Sequence, residues 1–229
     1  MTLPCLILAA GFGTRMGALT AERPKPLIEV AGRTLLDHAL AQAEAVCSPV
    51  AVNAHYRADQ ITTHLAGRDV RVMVEAPDIL DSGGAVKRAA SVFGGVPMAT
   101  LNADTVWRGG KPLAQLSDAF DPGRMDALLL LIPRDRATGR IGGGDFAMDA
   151  QGRLTFDKSA DSLVYTGAQI LNPARALAES RDIFSLRDIW AAMQAEGRLF
   201  GLLYPGQWAD VGHPDGIAAA EKMLGDGDV

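Results

Sequence analysis

The residues best suited to chemistry are crowded near the start of the chain. Gly11-Phe12-Gly13-Thr14-Arg15 combines two glycines, a hydroxyl and a cation. Glycines let a backbone take φ > 0 and approach a ligand closely. Successive N–H groups in such a loop make an anion-binding nest, and the Arg15 guanidinium adds a planar donor suited to phosphate oxygens. Ten residues on, Lys25 stands between Pro24 and Pro26, which stiffen the segment. The set suits a phosphorylated anion. It is not the dinucleotide fingerprint, because no third glycine falls where G-x-G-x-x-G needs it. It is not a Walker A loop, because no Gly-Lys-Ser/Thr follows.

Elements that can hold such a loop follow from the apolar pattern. Cys5 to Leu8 reads as a buried parallel strand feeding the loop. Leu35 to Val46 has apolar residues at helical spacing, with Thr34 as its cap. Pro49 to Asn53 reads as a strand, 56–66 as a helix and Val70 to Val74 as a strand. This βαβαβ order favours a parallel sheet with helices on both faces. Ser82 is the expected cap of a helix carrying Val86, Ala89, Ala90 and Phe93, whose first turn Gly83-Gly84 leave bare. Val96 to Leu101 is the next strand, and it ends in Asn102-Ala103-Asp104. A carboxylate at the C-terminal end of a parallel strand sits where α/β folds bind ligands, although a lone aspartate there is more often a turn former or cap. Further on, Asp126 to Ile132 is a continuous apolar strand, and 134–142 is polar and flexible. Gly142 to Met148 and Arg153 to Phe156 form a hairpin. Leu163 to Leu171 is a strand, Ser185 to Glu196 an amphipathic helix, and Leu199 to Tyr204 a late strand.

Composition narrows the function classes. With 229 residues, 48% of them hydrophobic, the chain can build one large α/β domain or two small ones. A net charge of −5 argues against nucleic acid as a main partner. No apolar run approaches the length of a membrane span, and no secretory signal is evident. Cys5 lies in an expected strand and Cys47 near an expected helix end. Neither fits a metal motif, so both read as reduced thiols of a cytoplasmic protein.

Strand, A-A-G-F-G-T-R-M, then P-K-P-L and V-A-G-R resembles the signature of the sugar-1-phosphate nucleotidyltransferases. These join a nucleoside triphosphate to a sugar 1-phosphate and release pyrophosphate. The resemblance implies a three-layer α/β/α Rossmann-like fold with a mixed, mainly parallel central sheet. It covers the chain as one catalytic domain over 1–229, with a nucleotide half of about 1–110 and a sugar half of about 111–229. By the same resemblance, Ala10, Gly11, Gly13, Thr14, Asp81, Gly83 and Asn102 bind the nucleotide, and Arg15 and Lys25 are catalytic. L-D-S-G-G-A (Leu80 to Ala85) matches the family's second nucleotide loop. Gly144, Asp145, Lys158, Thr166 and Gly167 would face the sugar, although Lys158 reads equally well as a surface lysine. Asp104 and Asp210, the latter in W-A-D-V-G, would bind Mg²⁺. In one departure, Gly17-Ala18 stand where the family often has Arg-Pro, so one cation for the triphosphate is missing.

The chemistry makes these assignments sensible. A sugar-phosphate oxygen, already an anion, attacks the α-phosphorus, so positioning and charge neutralisation matter more than a base. If Asp104 and Asp210 both end strands of one parallel sheet, they share its edge, and Mg²⁺ takes one or two carboxylates plus phosphates. The compact form looks most like the N-acetylmuramate-1-phosphate uridylyltransferases, which would make UTP the donor. Mannose-1-phosphate guanylyltransferases overlap with it. A cytidylyltransferase on the same fold and a non-catalytic sugar-nucleotide sensor are further readings, the sensor disfavoured by the intact Arg15, Lys25, Asp104 and Asp210. The partners implied are a nucleoside triphosphate and a sugar 1-phosphate, with a second copy of the chain possible and neither nucleic acid nor membrane expected.

Overall fold

A computed structural model describes residues 2–225, so the extreme ends of the domain expected over 1–229 lie outside the described residues. β1 (Leu3–Leu8) buries Cys5, Leu6 and Ile7 completely, as a strand paired on both edges and covered on both faces must. It runs through a loop into a 3-10 turn (Thr14–Thr20) and then a second (Lys25–Leu27). A small hairpin of β2 (Glu29–Val30) and β3 (Arg33–Thr34) leads to α1 (Leu35–Glu44). Thr34 caps α1 by accepting the Asp37 N–H at 3.1 Å. β4 (Cys47–Ala54), α2 (Ala58–His64), β5 (Val70–Val74), α3 (Asp81–Val92) and β6 (Met98–Asn102) complete the first half. The second half brings β7 (Thr105–Arg108), α4 (Pro112–Ala119), β8 (Ala127–Ile132) and β9 (Ala137–Thr138). A hairpin of β10 (Phe146–Met148) and β11 (Leu154–Phe156) precedes β12 (Val164–Leu171) and α5 (Ala174–Ala178). α6 (Leu186–Ala195), β13 (Leu199–Leu203), β14 (Gln207–Asp210) and α7 (Asp215–Gly225) follow.

Seven strands form the main sheet in the order β13-β8-β12-β6-β1-β4-β5. β6, β1, β4 and β5 are parallel. β12 is antiparallel to both β6 and β8, and β13 is parallel to β8. The sheet is therefore mixed and mainly parallel, as the family resemblance implies. Successive residues of a strand face opposite sides, and the core divides accordingly. Ile7 packs with Leu36, Ile61 and Leu116 from α1, α2 and α4. Leu6 packs with Val86, Ala176 and Trp190 from α3, α5 and α6. Helices thus cover both faces, giving three layers.

The structure revises three expectations. β14 is not in the main sheet: with β7 and β9 it forms a separate three-stranded sheet, antiparallel to β7 with Asp210 opposite Thr105. Asp210 therefore does not reach the site along a parallel-sheet edge. Residues 134–142 are not a loose polar loop, since they hold a 3-10 turn (Arg134–Arg136) and β9, paired with β14 and carrying a buried Ala137. Ser82 does not cap α3. The helix begins at Asp81, and the Ser82 hydroxyl oxygen instead accepts the Leu186 N–H at 3.1 Å. Cys47 opens β4 three residues after α1 ends, near the helix end as expected.

Candidate active site

A cavity of about 330 Å³ opens where β1, β4 and β6 end. Ala10, Gly11, Gly13, Thr14, Arg15, Lys25, Asp81, Asn102 and Asp104 all line it. The loop after β1 is held from below. The Ala9 N–H donates to Asn53 Oδ1 at 2.7 Å, and the Gly13 carbonyl accepts from the Met16 N–H at 2.9 Å and the Thr20 hydroxyl at 3.1 Å. Gly13 has φ +66, and a Cβ there would lie 2.8 Å from the Lys25 Cβ. The loop and the Pro24-Lys25-Pro26 turn can approach this closely only because position 13 is glycine.

The charged groups gather at one end. Lys25 is 7% exposed, and its Nζ meets Asp104 Oδ2 at 2.7 Å. β7 begins directly after Asp104 and pairs with β14, which carries Asp210 alongside. The Val211 N–H donates to the Asp104 carbonyl at 3.0 Å. A side chain at Gly212 would meet both Asp210 Oδ1 at 3.0 Å and Arg15 Nη1 at 3.2 Å, so Arg15 and Asp210 share that corner. Burial and the neighbouring Asp104 carboxylate raise the Asp210 pKa against the pull of Lys25, Arg140 and Arg15. Two carboxylates that repel each other in a half-dry corner fit a divalent cation, since a cation removes the cost of ionising both. Among the described residues no group of three or more His, Cys, Asp or Glu could hold a metal ion. Any ion here would draw its remaining ligands from phosphate and water.

The other expected site residues lie outside this cavity. The Gly83 and Gly84 N–H groups both donate to the Phe184 carbonyl, and a Cβ on Gly83 would fall 2.3 Å from the Phe184 ring. These glycines admit segment 182–184 against α3, and the first turn of that helix is not bare. Asp145 pairs with Arg140 at 3.1 Å and accepts the Tyr165 N–H at 3.0 Å. Arg140 in turn reaches toward Asp210 at 3.9 Å. Thr166 is buried, its hydroxyl donating to the Leu130 carbonyl and its carbonyl accepting from the Trp208 indole. Gly167 presses on the Asn102 side chain, and Gly144 on Ser162. Lys158 is exposed.

Sequence reasoning missed Asn53, Glu75 and Arg140. Asn53 Nδ2 donates to Glu75 Oε1 at 2.8 Å, and Glu75 Oε2 accepts the Leu80 N–H at 2.8 Å. The pair ties the ends of β1, β4 and β5 to the second loop. The available signal was a polar residue closing each apolar strand, Asn53 in β4 and Glu75 just after β5.

An α/β sheet with a glycine loop, two cations and one carboxylate beyond its strand ends, and a second carboxylate brought alongside by β14, has the form of a nucleotide-binding transferase site. Residues 5–211 match the MobA-like NTP transferase domain family, and the chain belongs to that family. It is 36% identical over 231 residues to N-acetylmuramate alpha-1-phosphate uridylyltransferase of Caulobacter vibrioides, covering 96% of each chain. It is 26% identical to the mannose-1-phosphate guanylyltransferase catalytic subunit beta of Drosophila pseudoobscura pseudoobscura, covering 91% of this chain and 59% of that one. The crystal structure of HddC from Yersinia pseudotuberculosis complexed with GMP-PN superposes with a TM-score of 0.77 at 19% identity, over 98% of this chain and 100% of that one. That likeness speaks to the fold.

Proposed function

We propose that the protein transfers a nucleotidyl group from UTP to a sugar 1-phosphate, with N-acetylmuramate 1-phosphate as the favoured acceptor, and releases pyrophosphate. The observation that carries this reading is the meeting of Arg15, Lys25 and Asp104 in a loop-lined cavity, with Asp210 beside them next to Gly212. The loop N–H groups of Gly11 to Thr14 cradle the triphosphate, and Arg15 faces its phosphates. Lys25 meets charge at the α-phosphate as the acceptor oxygen bonds to the α-phosphorus and the bond to the bridging oxygen breaks. The departing electron pair stays on pyrophosphate. The acceptor oxygen is already ionised, so no side chain has to remove a proton. Asp104 and Asp210 would hold Mg²⁺, which when bound neutralises charge on the reacting phosphates. The identity to a uridylyltransferase, higher than that to a guanylyltransferase, supports UTP.

On this reading 1–229 is a single catalytic unit, its nucleotide half near 1–110 and its sugar half near 111–229. Two free, buried cysteines and no helix among the described residues able to cross a membrane support a cytoplasmic location. The test is pyrophosphate release across four nucleoside triphosphates and several sugar 1-phosphates. The highest turnover is expected for UTP with N-acetylmuramate 1-phosphate. Binding of a nucleotide sugar with no turnover of any pair would make the protein a sensor instead.

A further inference from the structure

The end of β4 holds the glycine loop at both of its ends. Asn53 secures the start by accepting the Ala9 N–H. The corner between β4 and α2 secures the far end. The Tyr56 hydroxyl donates to the Thr20 carbonyl at 2.9 Å, Arg57 Nη2 to the Ala21 carbonyl at 2.6 Å and Gln60 Nε2 to the Glu22 carbonyl at 2.8 Å. Three successive backbone carbonyls thus find side-chain donors on one neighbouring corner. Arg57 Nε also donates to the Tyr56 hydroxyl at 3.1 Å, which ties the two side chains together. Arg57 takes φ +50, a strained conformation for a residue with a Cβ, and one that persists only where the surroundings fix it. Phe12, 47% exposed at the tip of the loop, rests against the His55 ring with 5.3 Å between centres.

Hydrogen bonds lead from this corner to the cavity. Tyr56 holds the Thr20 carbonyl, and the Thr20 hydroxyl donates to the Gly13 carbonyl at 3.1 Å and lies 3.2 Å from the Gly17 carbonyl. Gly13 lines the cavity. Thr20 is buried, whereas residues 17–19 are exposed. Gly17 takes φ +58 and ψ −129, which glycine alone reaches readily. No proline stands between Thr14 and Arg23 to stiffen the turn from within. The Tyr56 and Arg57 side chains fix it from outside.

We propose that Tyr56 and Arg57 are positioning residues for the triphosphate: by fixing Thr20 they fix Gly13, and with it the loop N–H groups that receive the phosphates. This rests on the transferase reading above. The test is pyrophosphate release from UTP and N-acetylmuramate 1-phosphate under steady-state conditions. Tyr56→Phe keeps the ring and removes only the hydroxyl, and Arg57→Met removes the donor to Ala21. Each should raise KM for UTP about fivefold or more, the scale of one lost hydrogen bond. The kcat and the KM for the sugar phosphate should stay within about twofold of wild type, because binding common to ground and transition states is what is lost. Arg57→Lys, which keeps a donor, should recover part of the effect. In a Thr20→Val background, which lacks the link to Gly13, Tyr56→Phe should raise KM for UTP by less than about twofold. An unchanged KM for UTP in Tyr56→Phe and Arg57→Met, with melting temperatures lowered, would reduce the corner to support of the fold and overturn the proposal. Independent, multiplying effects of Tyr56→Phe and Thr20→Val would overturn it too, while pyrophosphate release by wild type left the transferase reading standing. No pyrophosphate from wild type with any pair of substrates would remove both.

Discussion

Lys25 and Asp104, residues with separate expected tasks on phosphate and metal, form an ion pair of 2.7 Å. Lys25 is nearly buried, and Asp210 lies close enough to add a second carboxylate to the same corner. The lysine therefore supports the fold before it supports any reaction. Lys25→Ala leaves Asp104 without its ion-pair partner beside a second carboxylate. It should cost about 1–3 kcal/mol of stability, below the range for fully buried pairs because Asp104 is partly solvated. It should also lower kcat/KM about a hundredfold or more. Urea unfolding and steady-state kinetics read the two effects, and activity within a few-fold of wild type would end the assignment.

The carboxylate pair predicts a conflict between activity and stability. The Asp210 pKa is raised in the fold, so the native state holds its proton more tightly than the unfolded chain does. The associated stability is present below the unfolded value and is lost as pH rises through the folded one. At neutral pH and without divalent metal, Asp210→Asn should melt a few degrees above wild type. With Mg²⁺ or Mn²⁺ supplied, Asp104→Asn and Asp210→Asn should each lose nearly all turnover, and the double variant should be little worse than either. EDTA should abolish wild-type activity. Full turnover in EDTA would show that the site is built another way.

Preference for UTP is expected from the higher identity to a uridylyltransferase than to a guanylyltransferase, with the buried pair Asn53 and Glu75 bracing the second loop against the strand ends. A rigid pocket that reads base edges by hydrogen bonds discriminates strongly. UTP should exceed GTP in kcat/KM by about tenfold or more. Equal or better use of GTP would move the protein to the guanylyl branch.

Away from the site, Asp37 joins α1 to α2. Burial raises its pKa, but hydrogen bonds from Thr34, His64 and Arg68 outweigh that and hold it below the usual carboxylate value. A depressed carboxylate adds stability above the unfolded pKa and loses it as pH falls through the folded one. Asp37→Asn should cost about 1 kcal/mol at neutral pH. The gap from wild type should close from about pH 4 downward. Denaturation curves taken across that range decide it, and a gap independent of pH would contradict the assignment.

Gly83→Ala tests the close approach of segment 182–184. The new Cβ would overlap the Phe184 ring and carbonyl, so about 1–3 kcal/mol should be lost to overpacking. Combining it with Phe184→Ala, which removes the ring, should cost less than the sum of the two. Strict additivity would place the strain elsewhere.

The sequence alone determined what local chemistry dictates. β1 was readable because a short apolar run has few other uses, and α1 because Thr34 stands at its start with apolar residues at helical spacing. The glycine loop and Pro24-Lys25-Pro26 were readable because their residue types are tied to backbone geometry. Tertiary structure decided whatever depends on partners distant in the chain. β12 lies antiparallel between β6 and β8, and nothing within residues 164–171 states that direction. Asp210 reaches Asp104 because β14 pairs with β7 about a hundred residues earlier, outside the main sheet. That Gly83 and Gly84 admit the Phe184 segment against α3 is likewise visible only in the fold, because that segment lies about a hundred residues on. Asn53 and Glu75 were silent in sequence because a buried polar residue declares itself only through the group that satisfies it.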